Sequence, residues 1–252
     1  MSKPHTFQVV PGVWCVMRRS YFTCSYLVAT ADGGLAAVDA GMKSTGSEMF
    51  AAIDELGRTP ADVRAVLLTH WHNDHAAGAA ELAVASGADV FYSATEADHL
   101  TRRAASGGLR GRLSAAVPET GPLVLLKGLL GNAPQQAVEA TRFVRDGDDV
   151  LGEFDVIDTP GHTAGHVSYH HRPTGTLFAG DALAVIAGRL RFMARPVTED
   201  LVAARASMRR CLDRDIRAVC PGHREPMGRD AEAECRRMRH LLDAGARWPL
   251  LG

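Results

Sequence analysis

Residues 65–69 (AVLLT) run without a break into His70-Trp71-His72-Asn73-Asp74-His75, and this junction constrains the chain more than any other feature. A short buried strand must end where three imidazoles and a carboxylate begin, because such groups are costly to bury without partners. His70 and His72, two apart in an extended segment leaving a strand, point the same way and can bind one metal ion. Asp74 and His75, at the turn into an alanine-rich helix, are free to reach a second. At the chain's own frequencies, with 11 His in 252 residues, the HxHxDH pattern arises by chance about once in several hundred such chains.

Four further loops repeat the theme. They are Val38-Asp39-Ala40-Gly41, Thr159-Pro160-Gly161-His162, Phe178-Ala179-Gly180-Asp181 and Val219-Cys220-Pro221-Gly222-His223. Each closes a strand-like run and stands beside glycine, the setting in which a sheet presents side chains to a cleft. A lone histidine is more often a hydrogen-bonded or surface residue than a ligand. Five loops with the same residue types in the same context point instead to a metal site. Carboxylates and imidazoles suit zinc, but also iron or manganese, so the donor set leaves the metal open.

Around these loops the patterning predicts strands at 7–10, 13–17, 26–29 and 35–38. A helix follows, with a Thr45/Glu48 capping box, Met49, Ile53 and Leu56 on one face, and an end at Gly57 and Pro60. After the histidine cluster come one alanine-rich helix to about 86 and a strand at 90–92. The stretch from 95 to about 140 is mostly helical and chopped by glycine and proline. Strands at 143–144, 154–157, 167–170 and 177–179 precede a helix at 198–212, a strand at 218–220 and a last helix with Ala231, Cys235, Met238 and Leu242 on one face. Two comparable halves of strands with helices outside them give an α/β (or α+β) class with sheet packed on sheet.

Charge and composition narrow the function classes. With 28 Lys+Arg against 29 Asp+Glu, no global field attracts nucleic acid or an acidic membrane. No apolar run approaches the roughly 18 residues of a membrane span, and Met1–His5 lack the apolar core of a signal peptide. Five scattered cysteines without a CxxC pair read as reduced, mostly buried thiols, and hence a cytoplasmic protein.

His70, His72, Asp74, His75, His162, Asp181 and His223 resemble, in order and context, the full signature of the metallo-β-lactamase-fold superfamily, over nearly the whole chain. The resemblance implies one domain over 1–252: an αββα sandwich with a two-metal site along one edge and a helical insertion near 95–140. It also implies that His70, His72 and His162 bind the first metal, that Asp74, His75 and His223 bind the second, and that Asp181 bridges them. Asp39 is similar to the family's aspartate that steadies the histidine loop. The expected cofactor is a pair of divalent ions, zinc first, sharing a hydroxide that attacks a small ester, lactone or thioester, with Asp74 able to return a proton to the leaving group. A mononuclear iron persulfide dioxygenase using His70, His162 and Asp181, and a β-lactamase-like amide hydrolase, are the alternatives.

Within that superfamily Gly188-Arg189 is similar to a glycine-arginine segment of hydroxyacylglutathione hydrolases, which makes Arg189 a candidate substrate residue. Those enzymes carry a helical C-terminal domain, whereas only 29 residues follow His223. Acyl-homoserine lactonases match in length, but their tyrosine three positions after the bridging aspartate is Ala184 here. The segment from His99 to Gly131, with its apolar run 123–130, is read as a lid whose Leu125, Leu126 and Leu129 receive the apolar part of a substrate. A helical surface pair or a homodimer contact is the competing reading. Tyr21 and Phe22, in the first hairpin, are expected to form the opposite wall.

Overall fold

The computed structural model describes residues 4–19, 22–101 and 136–250. Alternating apolar residues in the N-terminal half build a sheet of seven strands: β1 (His5–Val10), β2 (Val13–Arg18), β3 (Thr23–Ala29), β4 (Leu35–Val38), β5 (Val63–Leu67), β6 (Asp89–Ser93) and β7 (Arg142–Val144), side by side in chain order. The first four pair antiparallel and β4 to β7 parallel. A second sheet holds β8 (Asp149–Val150), β9 (Phe154–Asp158), β10 (Val167–His171), β11 (Thr176–Gly180) and β14 (Ala218–Pro221), in the order β14-β11-β10-β9-β8. A separate hairpin joins β12 (Leu183–Ile186) to β13 (Arg189–Phe192).

The sheets face each other through Tyr26, Val28, Phe154, Tyr169 and Phe178, all buried. The opposite faces of the strands are covered by helices, as the two-residue alternation requires. Leu27, Ala37 and Val66 of the first sheet meet Met49 and Ile53 of α1 (Ser47–Glu55) and Leu82 of α3 (Ala79–Ser86). Ile157, Leu177 and Val219 of the second meet Met208 and Leu212 of α5 (Leu201–Leu212) and Met238 and Leu242 of α6 (Ala231–Asp243). The expected αββα layering is therefore present. Of the segment 95–140, expected to be a helical insertion, the described residues include α4 (Ala97–Thr101); 102–135, with Leu125, Leu126 and Leu129, lie outside them.

Two local expectations are corrected. The Thr45/Glu48 capping box does not form: α1 starts at Gly46, in the left-handed region at φ 64°, without a side-chain cap. Glu48 is drawn off by stronger donors, accepting from the Met42 amide at 2.9 Å and the Arg18 guanidinium at 2.5 Å. The helix after the histidine cluster is two pieces, α2 (Asn73–Ala76) and α3, broken at Gly78, where a Cβ would lie 2.3 Å from the Ala40 carbonyl oxygen. The hairpin of β12 and β13 adds two strands beyond those expected: β12 is continuously apolar, while β13, Arg-Leu-Arg-Phe, alternates exposed and buried.

Register decides where the functional loops go. β4 and β5 are parallel with Val38 opposite Leu67, so the segments that follow, at Asp39 and at Thr69-His70, leave the same edge. β11 and β14 are parallel with Gly180 opposite Pro221, which sets Asp181 beside Gly222-His223. The connection from β9 to β10 turns at that edge, with Val167 opposite Asp158. Two bonds fasten the sheets there: the Val167 amide donates to Thr69 O at 2.9 Å and the Tyr169 hydroxyl to Leu68 O at 3.0 Å.

Candidate metal centre

All seven donors named from sequence meet at this edge. Three sets of ligand atoms lie within 4.8 Å of one another: His70, His72 and His162; His70, His75 and Asp181; and Asp74, His75 and His223. His70 and His75 are fully buried, while the His223 and Asp74 side chains keep 26% and 21% of their exposure and mark the open side.

Outer hydrogen bonds settle what the imidazoles present inward. The Asp39 carboxylate, buried in the turn after β4, accepts from the Thr69 amide at 2.9 Å and from the Thr69 hydroxyl at 3.0 Å. The Thr69 oxygen is then free to accept from His70 Nδ1 at 3.0 Å, which leaves His70 Nε2 a bare lone pair. His75 Nδ1 donates to Asp39 Oδ2 at 2.8 Å and His162 Nδ1 to the Val197 carbonyl at 2.5 Å, so in the neutral ring each turns an Nε2 lone pair inward. This fixing of the outer nitrogen is how metal-binding imidazoles are held. His70 Nε2 and His162 Nε2 both face His72 Nδ1, at 3.0 and 2.9 Å. One proton cannot satisfy three converging nitrogens, but a cation can.

The carboxylate half is built in the same sense. Asp181 Oδ2 lies 3.3 Å from His162 Nε2 and 3.4 Å from His223 Nε2, and its Oδ1 lies 3.7 Å from His75 Nε2. Asp74 Oδ2 is 3.3 Å from His223 Nε2 and 3.8 Å from His75 Nε2. Ligands bound tetrahedrally at about 2.0–2.1 Å sit about 3.3 Å apart, so these spacings suit a metal of zinc's size. His75 Nε2 and Asp181 Oδ1 are buried without a hydrogen-bond partner, a costly state that a bound ion relieves. The donors fit a metal pair.

Electrostatics divides the two halves. Burial, reinforced by neighbouring imidazoles, pushes His70 well below the usual histidine range and His72 down to about 4, so these imidazoles are neutral, as metal binding requires. Burial also opposes charge on His75 and His223, yet the surrounding carboxylates overcome it, Asp74 and Asp181 foremost, and raise them to about 10 and about 9. Burial likewise works against ionisation of Asp181, but His223, His162 and His75 hold it well below the usual carboxylate range.

Other sequence-named residues sort themselves by position. The Phe22 side chain is half exposed, its carbonyl accepts from the Arg224 amide at 2.6 Å, and its neighbour Thr23 bridges to His223, so it borders the open side. Tyr21 lies outside the described residues. Arg189 begins β13, paired with Ile186, roughly 15 Å along the hairpin from Asp181. Its guanidinium is 2.9 Å from Glu234 on α6, and it is not brought to the histidines.

Sequence reasoning passed over His166, which the structure puts behind Asp181. The Asp181 amide donates to His166 Nε2 at 3.0 Å, and His166 Nδ1 donates to Thr159 Oγ1 at 2.7 Å. Burial and the nearby His162 lower its pKa to about 3, which keeps it neutral and able to accept. The signal was there in the second Gly-His of Gly161-His162-Thr163-Ala164-Gly165-His166. No local signal exists for the Val197 carbonyl that orients His162.

The Metallo-beta-lactamase superfamily model matches residues 21–223. Among curated proteins the chain is similar to hydroxyacylglutathione hydrolases, with 35% identity to that of Halorhodospira halophila over 47% of this chain and 32% of the relative. The one from Pseudomonas entomophila is 34% identical over 54% of this chain and 40% of the relative. The match thus spans well under half of these relatives' length. A subclass B3 metallo-beta-lactamase from a soil metagenome library aligns with TM-score 0.62 and 26% identity over 96% of this chain and 87% of that one. A HARLDQ-motif variant from Cronobacter sakazakii, at 23% identity, shares the fold with TM-score 0.65 over 97% and 95% of the two chains. On the matched region and the sandwich it forms, the chain belongs to the metallo-beta-lactamase superfamily.

Proposed function

We propose that this protein is a dinuclear metal-dependent hydrolase acting on a small carboxylic ester, lactone or thioester. The observation that supports it most is a buried donor set spanned by Asp181, with His75 Nε2 and Asp181 Oδ1 otherwise unpartnered. In this reading His70, His72 and His162 hold one ion, Asp74, His75 and His223 the other, and Asp181 both, with zinc the best match to the imidazole-rich set. When bound, the pair supplies Lewis acidity and a hydroxide nucleophile near neutral pH.

The remaining tasks fall to the chain's own groups. Asp39, through Thr69 and His75, and the Val197 carbonyl, through His162, hold the outer nitrogens and so keep the inner ones aimed. Asp74 is a partly exposed carboxylate beside His223, placed to carry a proton to the leaving group. Phe22 on one side, and the Trp71 ring packed 4.4 Å from the His72 ring on the other, offer apolar walls for an acyl chain. The hydroxyacylglutathione hydrolase relatives favour a thioester within this class. A mononuclear iron persulfide dioxygenase, with only His70, His162 and Asp181 in use, leaves the Asp74, His75 and His223 group without a role. All five cysteines are free and buried, as suits a reducing compartment such as the cytoplasm. Among the described residues no helix is long and apolar enough to cross a membrane.

The test is metal analysis of freshly purified protein, paired with lactone, thioester and persulfide substrates. Close to two ions per chain and hydrolysis without oxygen uptake are expected. A protein that holds one iron, takes up no second ion and consumes oxygen with a persulfide overturns the proposal.

A further inference from the structure

Glu96 lies outside the ligand set, in a tight turn after β6, and among the described residues its hydrogen-bond partners are uncharged. It is only 2% exposed, and burying a carboxylate is expensive unless its oxygens are fully used. Here they are used. Glu96 Oε2 accepts from the Trp71 amide at 2.9 Å, and Oε1 accepts from the Gly165 amide at 2.7 Å and the Thr163 hydroxyl at 3.1 Å. Trp71 stands between His70 and His72; Thr163 and Gly165 follow His162. One carboxylate therefore ties together the two loops, from opposite sheets, that carry the all-histidine triad. Gly165 leaves room for it, since a Cβ there would lie 2.5 Å from Glu96 Oε1. Asp39 reaches both halves, His70 through the Thr69 hydroxyl and His75 directly.

We propose that Glu96 is a positioning residue for the His70, His72 and His162 triad, holding its two loops in register without touching the metal. The inference rests on the metal reading of the site given above. It requires a group that only accepts. In a glutamine the amide nitrogen must face either the Trp71 N–H or the Gly165 N–H, donor against donor, so one loop is released whichever way the amide turns. Loss of a group that holds ligands in place typically weakens metal affinity by about 10–100-fold. The loss should fall on one site, because Asp74, His75 and His223 make no bond to Glu96.

Cobalt(II) titration followed by its visible absorption, with a competing chelator, tests this in two single-site backgrounds. In His223→Ala, which keeps the triad, Glu96→Gln is expected to weaken cobalt binding by about 10–100-fold. In His162→Ala, which keeps the other set, Glu96→Gln is expected to leave affinity within about twofold. Gly165→Ala, which crowds Oε1, should reproduce the selective loss if Glu96→Gln does not fold. Equal weakening in both backgrounds, or none in either, overturns the inference and leaves the metal reading standing. Wild-type protein that binds no cobalt overturns the metal reading itself, and this inference with it.

Discussion

Replacing Gly222 by alanine should disable the centre through a single methyl group. A Cβ at Gly222 would lie 2.3 Å from Asp181 Oδ1 and 2.5 Å from His75 Cε1. Non-bonded carbons relax at about 3.5 Å, so the His75 contact is short by about 1 Å. Gly222 cannot retreat, because its amide donates to Gly180 O at 2.7 Å and its carbonyl accepts from the Cys24 amide at 2.8 Å. His75 is pinned by Asp39 at 2.8 Å. The Asp181 carboxylate must therefore swing away from nitrogens it faces at 3.3 and 3.4 Å. Overpacking of this kind costs about 1–3 kcal/mol, or about 2–12 °C in Tm for a chain of this size. A reacting group displaced by about 1 Å costs on the order of 100-fold in turnover. Thermal melting, metal content after dialysis and kcat on the best substrate measure the three effects. An alanine variant that retains two ions, full turnover and a Tm within about 1 °C of wild type refutes the argument that Asp181 acts from this position.

Chelation should lower stability reversibly, by about 2.7 kcal/mol per site for a metal present at 100 times its Kd, seen as a fall in Tm that zinc restores; a Tm indifferent to chelator would contradict the metal reading. If the proposed two-metal site holds, His223→Ala should retain about one ion per chain by elemental analysis, and Asp181→Ala, which removes the ligand proposed to be shared, should retain less than one firmly bound. Tyr169→Phe removes a buried hydroxyl that joins the sheets through Leu68 O, and should cost about 1–3 kcal/mol in urea unfolding while leaving metal content unchanged. Hydrogen bonds from Arg237 hold the Glu234 carboxyl below its usual range. The stability it contributes is therefore present above the ordinary glutamate value of about 4.3 and lost as pH falls through the lower folded value; unfolding followed from pH 6 to about 3 should show Glu234→Gln with a shallower acid loss than wild type.

The seven donors were legible because each stands in a short local pattern: a strand, a glycine and a side chain that gains nothing from burial unless it binds something. Two-residue and three-to-four-residue periodicities likewise marked most strands and the buried face of α6, since local burial patterns depend on few neighbours. Other features depended on partners distant in the chain. Glu48 looks like a capping residue until Arg18, thirty positions away, competes for it. Position 78 must be glycine because the Ala40 carbonyl, far back in the chain, lies where a Cβ would go. Glu96 and the Val197 carbonyl carry no motif of their own and His166 only a second Gly-His, and their roles arise when sheet register brings Trp71, Gly165, Asp181 and His162 within hydrogen-bond reach. The sequence by itself determined which atoms can bind a metal. Their aim, their protonation and their rigidity were decided by the tertiary structure, because hydrogen bonds act over about 3 Å and only the folded chain sets which groups are that close.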